Sequence, residues 1–208
     1  MKIGKFNIKF NTLFKKGLVN KEDSWGVYCI TGFQGSGKSF LATFLLVEML
    51  KKHNFDLIVT NIKSLKLKNK MNDRIVYFSK ISDITSQVTT NSIYIIDEIS
   101  KKYTKECKTD TLFYSWLQQS RKRGRIVILI TQEWKEVPMW LRRPVRFMYY
   151  TRQLRPLPFF LTTKGDALNT TFNTETNEWE CPILEFMIYK RTQEIGSLYD
   201  TFEPINEL

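Results

Sequence analysis

VYCITGFQGSGKS, residues Val27–Ser39, combines three signals in one short run: an apolar strand, a glycine-rich turn and the start of a helix. The turn matches G-x-x-x-x-G-K-[S/T], with Gly32, four residues, then Gly37, Lys38 and Ser39. Gly32, Gly35 and Gly37 let the backbone curl so that several N–H groups converge on one anion. The helix that starts there adds its positive end. Lys38 has the reach for the outer phosphates of a nucleotide, and the Ser39 hydroxyl suits a magnesium ion. The candidate nucleotide-binding set is therefore Gly32, Phe33, Gln34, Gly35, Ser36, Gly37, Lys38, Ser39 and Phe40, with ATP and Mg2+ as the ligands. A dinucleotide site is disfavoured. Its fingerprint is G-x-G-x-x-G, whereas these glycines run G-x-x-G-x-G and are followed by a lysine.

Around this loop the chain alternates strand and helix. The segment from Ser39 to about Lys52 carries Phe40, Leu41, Phe44, Leu45 and Val47 among strong helix formers. Strands are expected at Leu57–Thr60, Arg74–Phe78, Ser92–Asp97, Ile126–Ile130 and Val145–Thr151. Helices are expected at Ile81–Val88, at Asp110–Arg123 and just after Pro138. In the second of these, Asp110 reads as the cap and Leu112, Phe113, Trp116 and Leu117 as the apolar face. Near-continuous apolar strands between helices predict an α/β fold, a mostly parallel sheet covered on both faces. After Thr151 the pattern changes to short β-segments at Phe159–Thr163, Asn169–Phe172, Glu178–Cys181 and Leu184–Tyr189, with a hairpin turn at Asn173–Asn177. The expected organisation is a basic arm (1–24), an ATPase core (25–151) and a small β-rich C-terminal extension of the same domain (152–208).

Composition narrows the function classes. Of 208 residues, 42% are hydrophobic, enough for a core. No apolar run of about 18 residues spans a membrane, and the basic N-terminus lacks the apolar centre of a secretory leader. Three isolated cysteines suit a reducing compartment, and His53, the only histidine, rules out histidine dyads and zinc sites built on histidine pairs. A net charge of +11 favours a polyanionic partner. The basic clusters are Lys63–Lys70, Lys101–Lys108, Arg121–Arg125 and Arg142–Arg155, several of them expected on the same side as the glycine loop. Peripheral contact of the basic arm with a membrane is a further, weaker reading.

Two more strand ends carry chemistry. In open parallel sheets, ligands bind at the carboxyl ends of the strands. Ile93–Ile96 runs into Asp97-Glu98: Asp97 to hold the magnesium, Glu98 to polarise the attacking water. Val127–Ile130 runs into Thr131-Gln132, where the Gln132 amide can sense the γ-phosphate or align that water. Lys38, Glu98 and Gln132 are thus the candidate catalytic residues, and Ser39 and Asp97 the metal ligands. In multisubunit ATPases a neighbour's arginine stabilises charge on the transferred phosphoryl group. Arg121, Arg123, Arg142, Arg143 and Arg146 are candidates for that role. Lys101, Lys102, Lys122 and Arg125 are candidate DNA contacts.

GFQGSGKS, VTNI (Val59–Ile62), IYIIDE (Ile93–Glu98), SRKRG (Ser120–Gly124), ILITQ (Ile128–Gln132) and LYDTFE (Leu198–Glu203) occur in this order. Together they resemble the zonula-occludens-toxin-like ATPases, which include filamentous-phage assembly proteins. Those are similar to the FtsK–HerA class of DNA-pumping motors and to viral genome-packaging ATPases. The resemblance covers roughly residues 25–150 and more weakly the C-terminus. It implies a RecA-like core, ATP hydrolysis, and a ring, usually hexameric, around double-stranded DNA. It also implies capsid or portal proteins as partners, and host cytoplasm or a virion as the location. The expected function is an ATP-driven DNA translocase, with genome packaging placed first because no membrane span follows the core. A filamentous-phage assembly ATPase is the alternative. A P-loop kinase or nucleotide switch is the reading from another class.

Overall fold

The computed structural model describes residues 25–67, 69–86, 89–102, 111–154, 156–175 and 178–199. The arm (1–24), the segment 103–110 with the cap assigned to Asp110, and LYDTFE past residue 199 lie outside the described residues. So do the side chains of Lys101 and Lys102.

Strand β1 (Gly26–Thr31) leads through the glycine loop into helix α1 (Lys38–Lys52). Then come β2 (Leu57–Thr60), β3 (Ile75–Tyr77), α2 (Ile81–Thr85), β4 (Ser92–Ile96) and α3 (Ile99–Lys102). After these follow α4 (Thr111–Gln118), β5 (Arg125–Ile130), α5 (Met139–Arg142) and β6 (Val145–Leu154). The C-terminal part holds β7 (Phe159–Asp166), β8 (Thr171–Asn173), β9 (Glu178–Glu180), β10 (Ile183–Lys190) and α6 (Gln193–Gly196).

One eight-stranded sheet has the order β10-β7-β6-β1-β5-β4-β2-β3, and β8 and β9 form a separate two-stranded ribbon. The six strands from β6 to β3 pair parallel; β7 and β10 add antiparallel on the β6 side. Side-chain alternation in the strands builds two cores. Tyr28, Ile30, Ile58, Ile93, Ile95, Ile126 and Ile128 enter the one covered by α1. Val27, Cys29, Val59, Tyr94, Ile96, Val127 and Leu129 enter the one covered by α2 and α4. Each such buried aliphatic or aromatic side chain contributes roughly 1.5–3 kcal/mol relative to exposure. The apolar runs are continuous because both faces are covered, as the sequence predicts.

Several details differ from expectation. Helix α4 stops at Gln118, not Arg123, because Gly124 (φ 60) closes a turn with Gly124 N–H donating to Arg121 O and Arg123 N–H to Gln119 O. Leu112 is 69% exposed and leaves the apolar face to Phe113, Trp116 and Leu117. Strand β6 runs on past Thr151 because β7 pairs with it as far as Leu154↔Phe159. The link between them, 155–158, is too short for a parallel crossover, so the sheet turns antiparallel. The expected 151/152 division therefore falls inside a strand.

Candidate nucleotide site

Strands β1, β5 and β4 are neighbours, and their carboxyl ends present three polar segments at one sheet edge. Ile30 pairs with Ile130, and beyond that pair Gly32 N–H donates to Gln132 O at 3.1 Å. Gln132 is thereby fixed beside the first residue of the glycine loop. The loop turns through left-handed residues at Gly35 (φ 74) and Gly37 (φ 93) before α1 begins at Lys38. The Lys38 ammonium folds back to donate to the carbonyls of Gly32 (2.8 Å) and Phe33 (3.0 Å). Ser36 Oγ is buried in the loop without a hydrogen-bond partner.

Asp97 and Glu98 follow β4, one strand further from β1. Burial raises the Asp97 carboxyl to about 6, with the adjacent Glu98 charge adding to the rise. The Glu98 N–H, 2.8 Å from Asp97 Oδ1, and the Lys38 charge pull the other way. Glu98 has φ 53, a left-handed conformation that is costly for a residue with a Cβ. On the other side of β4, Asn61 at the end of β2 holds the Asp97 main chain through two hydrogen bonds. Ser100, in α3, and Thr131, the first residue after β5, meet Oγ to Oγ1 at 2.9 Å.

The loop rests on strands that the motif does not include. A Cβ at Gly32 would stand 2.5 Å from Thr151 O and 2.6 Å from Ser36 Oγ, so only glycine fits there. A Cβ at Gly37 would collide with the Phe160 ring of β7. Phe160 stacks on Phe40 (5.1 Å between centroids) and on Tyr189 of β10 (5.3 Å), and Phe44 stacks on Tyr189 (5.6 Å). The Tyr189 hydroxyl meets Thr151 and Thr162 at 3.1 and 3.2 Å, and burial pushes it up to about 12. The first and second C-terminal strands of the sheet therefore form the floor of the loop. In sequence these residues look like ordinary core aromatics, and no motif marks them.

The sequence profile of the zonular occludens toxin (Zot) family matches residues 26–195. The chain belongs to the Zot family. The match takes in every strand described above, the floor strands included. A comparison with curated protein sequences finds no match. Among solved structures, the N-terminal domain of zonular occludens toxin from Neisseria meningitidis is similar, with a TM-score of 0.58 and 18% identity. That alignment covers 84% of this chain and 98% of the other. The genome packaging NTPase B204 from Sulfolobus turreted icosahedral virus 2, in complex with sulfate, aligns with a TM-score of 0.51 and 14% identity. It covers 78% of this chain and 98% of that one. The fold of this Zot-family chain is accordingly that of a RecA-like P-loop NTPase.

The Zot-family fold separates the remaining candidates. Phe40, expected to touch nucleotide, is 2% exposed; its ring belongs to the core stack and leaves only its backbone near the loop. Phe33, by contrast, is 68% exposed at the loop tip, followed by exposed Gln34 and Gly35. The RKRGR segment leads into β5, whose first residue is Arg125, and so lies at the amino edge, opposite the glycine loop. Within it Arg121 and Lys122 are exposed and Arg123 donates to Gln119. Arg125 is not a DNA contact: it is 2% exposed, donates to Thr89 O at 2.7 Å and stacks on Trp116. Burial lowers its pKa.

Arg142 is likewise engaged within the chain. It donates to Val137 O (2.6 Å) and Lys135 O (2.8 Å) and lies over Trp134 and Trp179, so it is no free arginine for a neighbour. Arg142 and the exposed Arg143 line a cleft of about 240 Å³ that contains none of the glycine-loop residues. Arg146 sits over Phe147 near the start of β6. Lys38, Ser39, Asp97, Glu98 and Gln132 therefore share the carboxyl edge; the five candidate arginines lie toward the amino edge.

Proposed function

We propose that this chain hydrolyses ATP at the carboxyl edge of its sheet and couples the cycle to movement of DNA in phage assembly. The observation that carries the proposal is that three adjacent parallel strands end, at one edge, in the glycine loop with Lys38, in Gln132 and in Asp97-Glu98. The residues present fit a nucleotide. The loop is a cradle that a Cβ at Gly32 would fill, and the orphaned Ser36 hydroxyl lies buried in it. Lys38 caps carbonyls of its own loop, a position it can exchange for phosphate oxygens. Ser39 and Asp97 would hold Mg2+, which when bound supplies charge neutralisation on the phosphate oxygens.

The chain's own residues then divide the work. Loop N–H groups and Lys38 bind and orient the triphosphate. Glu98 takes a proton from the water whose oxygen attacks the γ-phosphorus while the bond to the bridging oxygen breaks, leaving ADP and phosphate. Gln132, held against Gly32 by its main chain, aligns that water by donating and accepting through its amide. In a head-to-tail ring, one subunit's amino edge can approach another's carboxyl edge. The exposed Arg121 and Arg143, and Arg123, are the arginines able to serve a neighbour.

DNA contacts in this scheme are made to phosphates and are blind to sequence. Family membership supports the assembly reading over packaging into a preformed capsid. The fold shared with a packaging NTPase keeps the latter as the second reading. The test is ATPase activity of the full chain alone, with duplex DNA and with single-stranded DNA, alongside the mass of the assembled species. Stimulation by either DNA, DNA binding that weakens steeply with salt, and a ring-sized mass are expected. Turnover indifferent to DNA in a monomer would point to a kinase or switch instead.

A further inference from the structure

Asn61 is the first residue after β2, which pairs parallel with β4 up to Thr60↔Ile95. There the backbone ladder stops and a side chain takes over. Asn61 Oδ1 accepts from Asp97 N–H at 2.8 Å, and Asn61 Nδ2 donates to Asp97 O at 2.9 Å. A primary amide offers the same donor and acceptor as a peptide group. It therefore satisfies both main-chain groups of Asp97 where the chain must leave the sheet. The next residue, Glu98, has φ 53, and such conformations persist only where the surroundings over-determine them. Here the turn is fixed twice, by Asn61 on the Asp97 main chain and by the Asp97 carboxylate on the Glu98 N–H.

We infer that Asn61 is a positioning residue for the acidic pair: its amide grips the Asp97 peptide groups and so aims the Asp97 and Glu98 carboxylates. This rests on the ATPase reading for its consequence, though not for its geometry. Asn61 acts through the backbone, so its loss should misdirect chemistry while the glycine loop still binds nucleotide.

The test uses the full chain with Asn61→Ala, which removes both hydrogen bonds, and Asn61→Asp, which keeps the acceptor and loses the donor. Asn61→Ala is expected to lower kcat roughly 10–100-fold, the usual effect of losing such a supporting contact. Affinity for a fluorescent ATP analogue stays near wild type, and exchange of the Asp97 amide hydrogen accelerates. Asn61→Asp should fall between wild type and Asn61→Ala in kcat; it also serves if Asn61→Ala does not fold. A variant that loses thermal stability but keeps wild-type kcat overturns the inference and leaves a structural cap. If the wild-type chain hydrolyses no ATP, the proposed activity falls by itself. The amide still reads the clamp in that case, and equal Asp97 exchange in wild type and Asn61→Ala overturns the inference.

Discussion

Asp97→Asn should make the protein more stable at neutral pH while ending its turnover. The native Asp97 carboxyl is raised from 3.8 to about 6, chiefly by burial. Between those two values the folded chain keeps the proton that the unfolded chain releases. Stability therefore falls as pH rises through this window and stays low above it. A shift of about two units at ~1.4 kcal/mol each amounts to about 3 kcal/mol at pH 7.5. Asparagine removes that charge and keeps an oxygen for the Glu98 N–H that Asp97 Oδ1 now accepts. Urea unfolding in metal-free buffer measures the difference directly. Asp97→Asn is expected to exceed wild type by up to about 3 kcal/mol at pH 7.5, the gap closing below about pH 4. Saturating Mg2+ and nucleotide should narrow it from the other side by stabilising wild type more, because only wild type keeps the carboxylate for the cation. An Asp97→Asn protein no more stable than wild type at pH 7.5, or a gap that ignores pH, would refute the view of Asp97 as a half-buried carboxylate awaiting a cation.

The other expectations concern the neighbours of that site. Glu98→Gln should keep nucleotide binding and lose turnover by roughly 10²–10⁴-fold, the span of a removed general base; single-turnover hydrolysis reads it. Gly37→Ala should cost about 1–3 kcal/mol and weaken nucleotide binding, because its Cβ meets the Phe160 ring at a left-handed backbone position. Calorimetry and nucleotide titration follow both effects, and adding Phe160→Leu should recover part of the stability. Arg125→Met should lower stability by about 1–3 kcal/mol, since the Thr89 carbonyl loses its donor. DNA binding by that variant should be unchanged; lost binding at full stability would restore Arg125 as a contact.

Much of the candidate site's layout was legible in the residues because its chemistry is local. A phosphate loop needs glycines, a lysine and a hydroxyl at fixed spacing. The acids at 97 and 98 and the glutamine at 132 each end an apolar strand, so strand polarity alone assigns them to one edge. The parallel sheet was legible for the same reason: runs such as IVILI are buried on both faces and tolerate no polar alternation. What only tertiary structure decided were contacts between segments far apart in the chain. Phe160 and Tyr189 sit under the loop because β7 and β10 extend the sheet past β6, and nothing in their spacing says so. Asn61 reaches Asp97 because β2 borders β4. Arg125 and Arg142 read as surface charge, yet the fold supplies each with at least one carbonyl and an indole face. A charged side chain can lie buried only where partners offset its desolvation, and those partners come together only when the chain has folded.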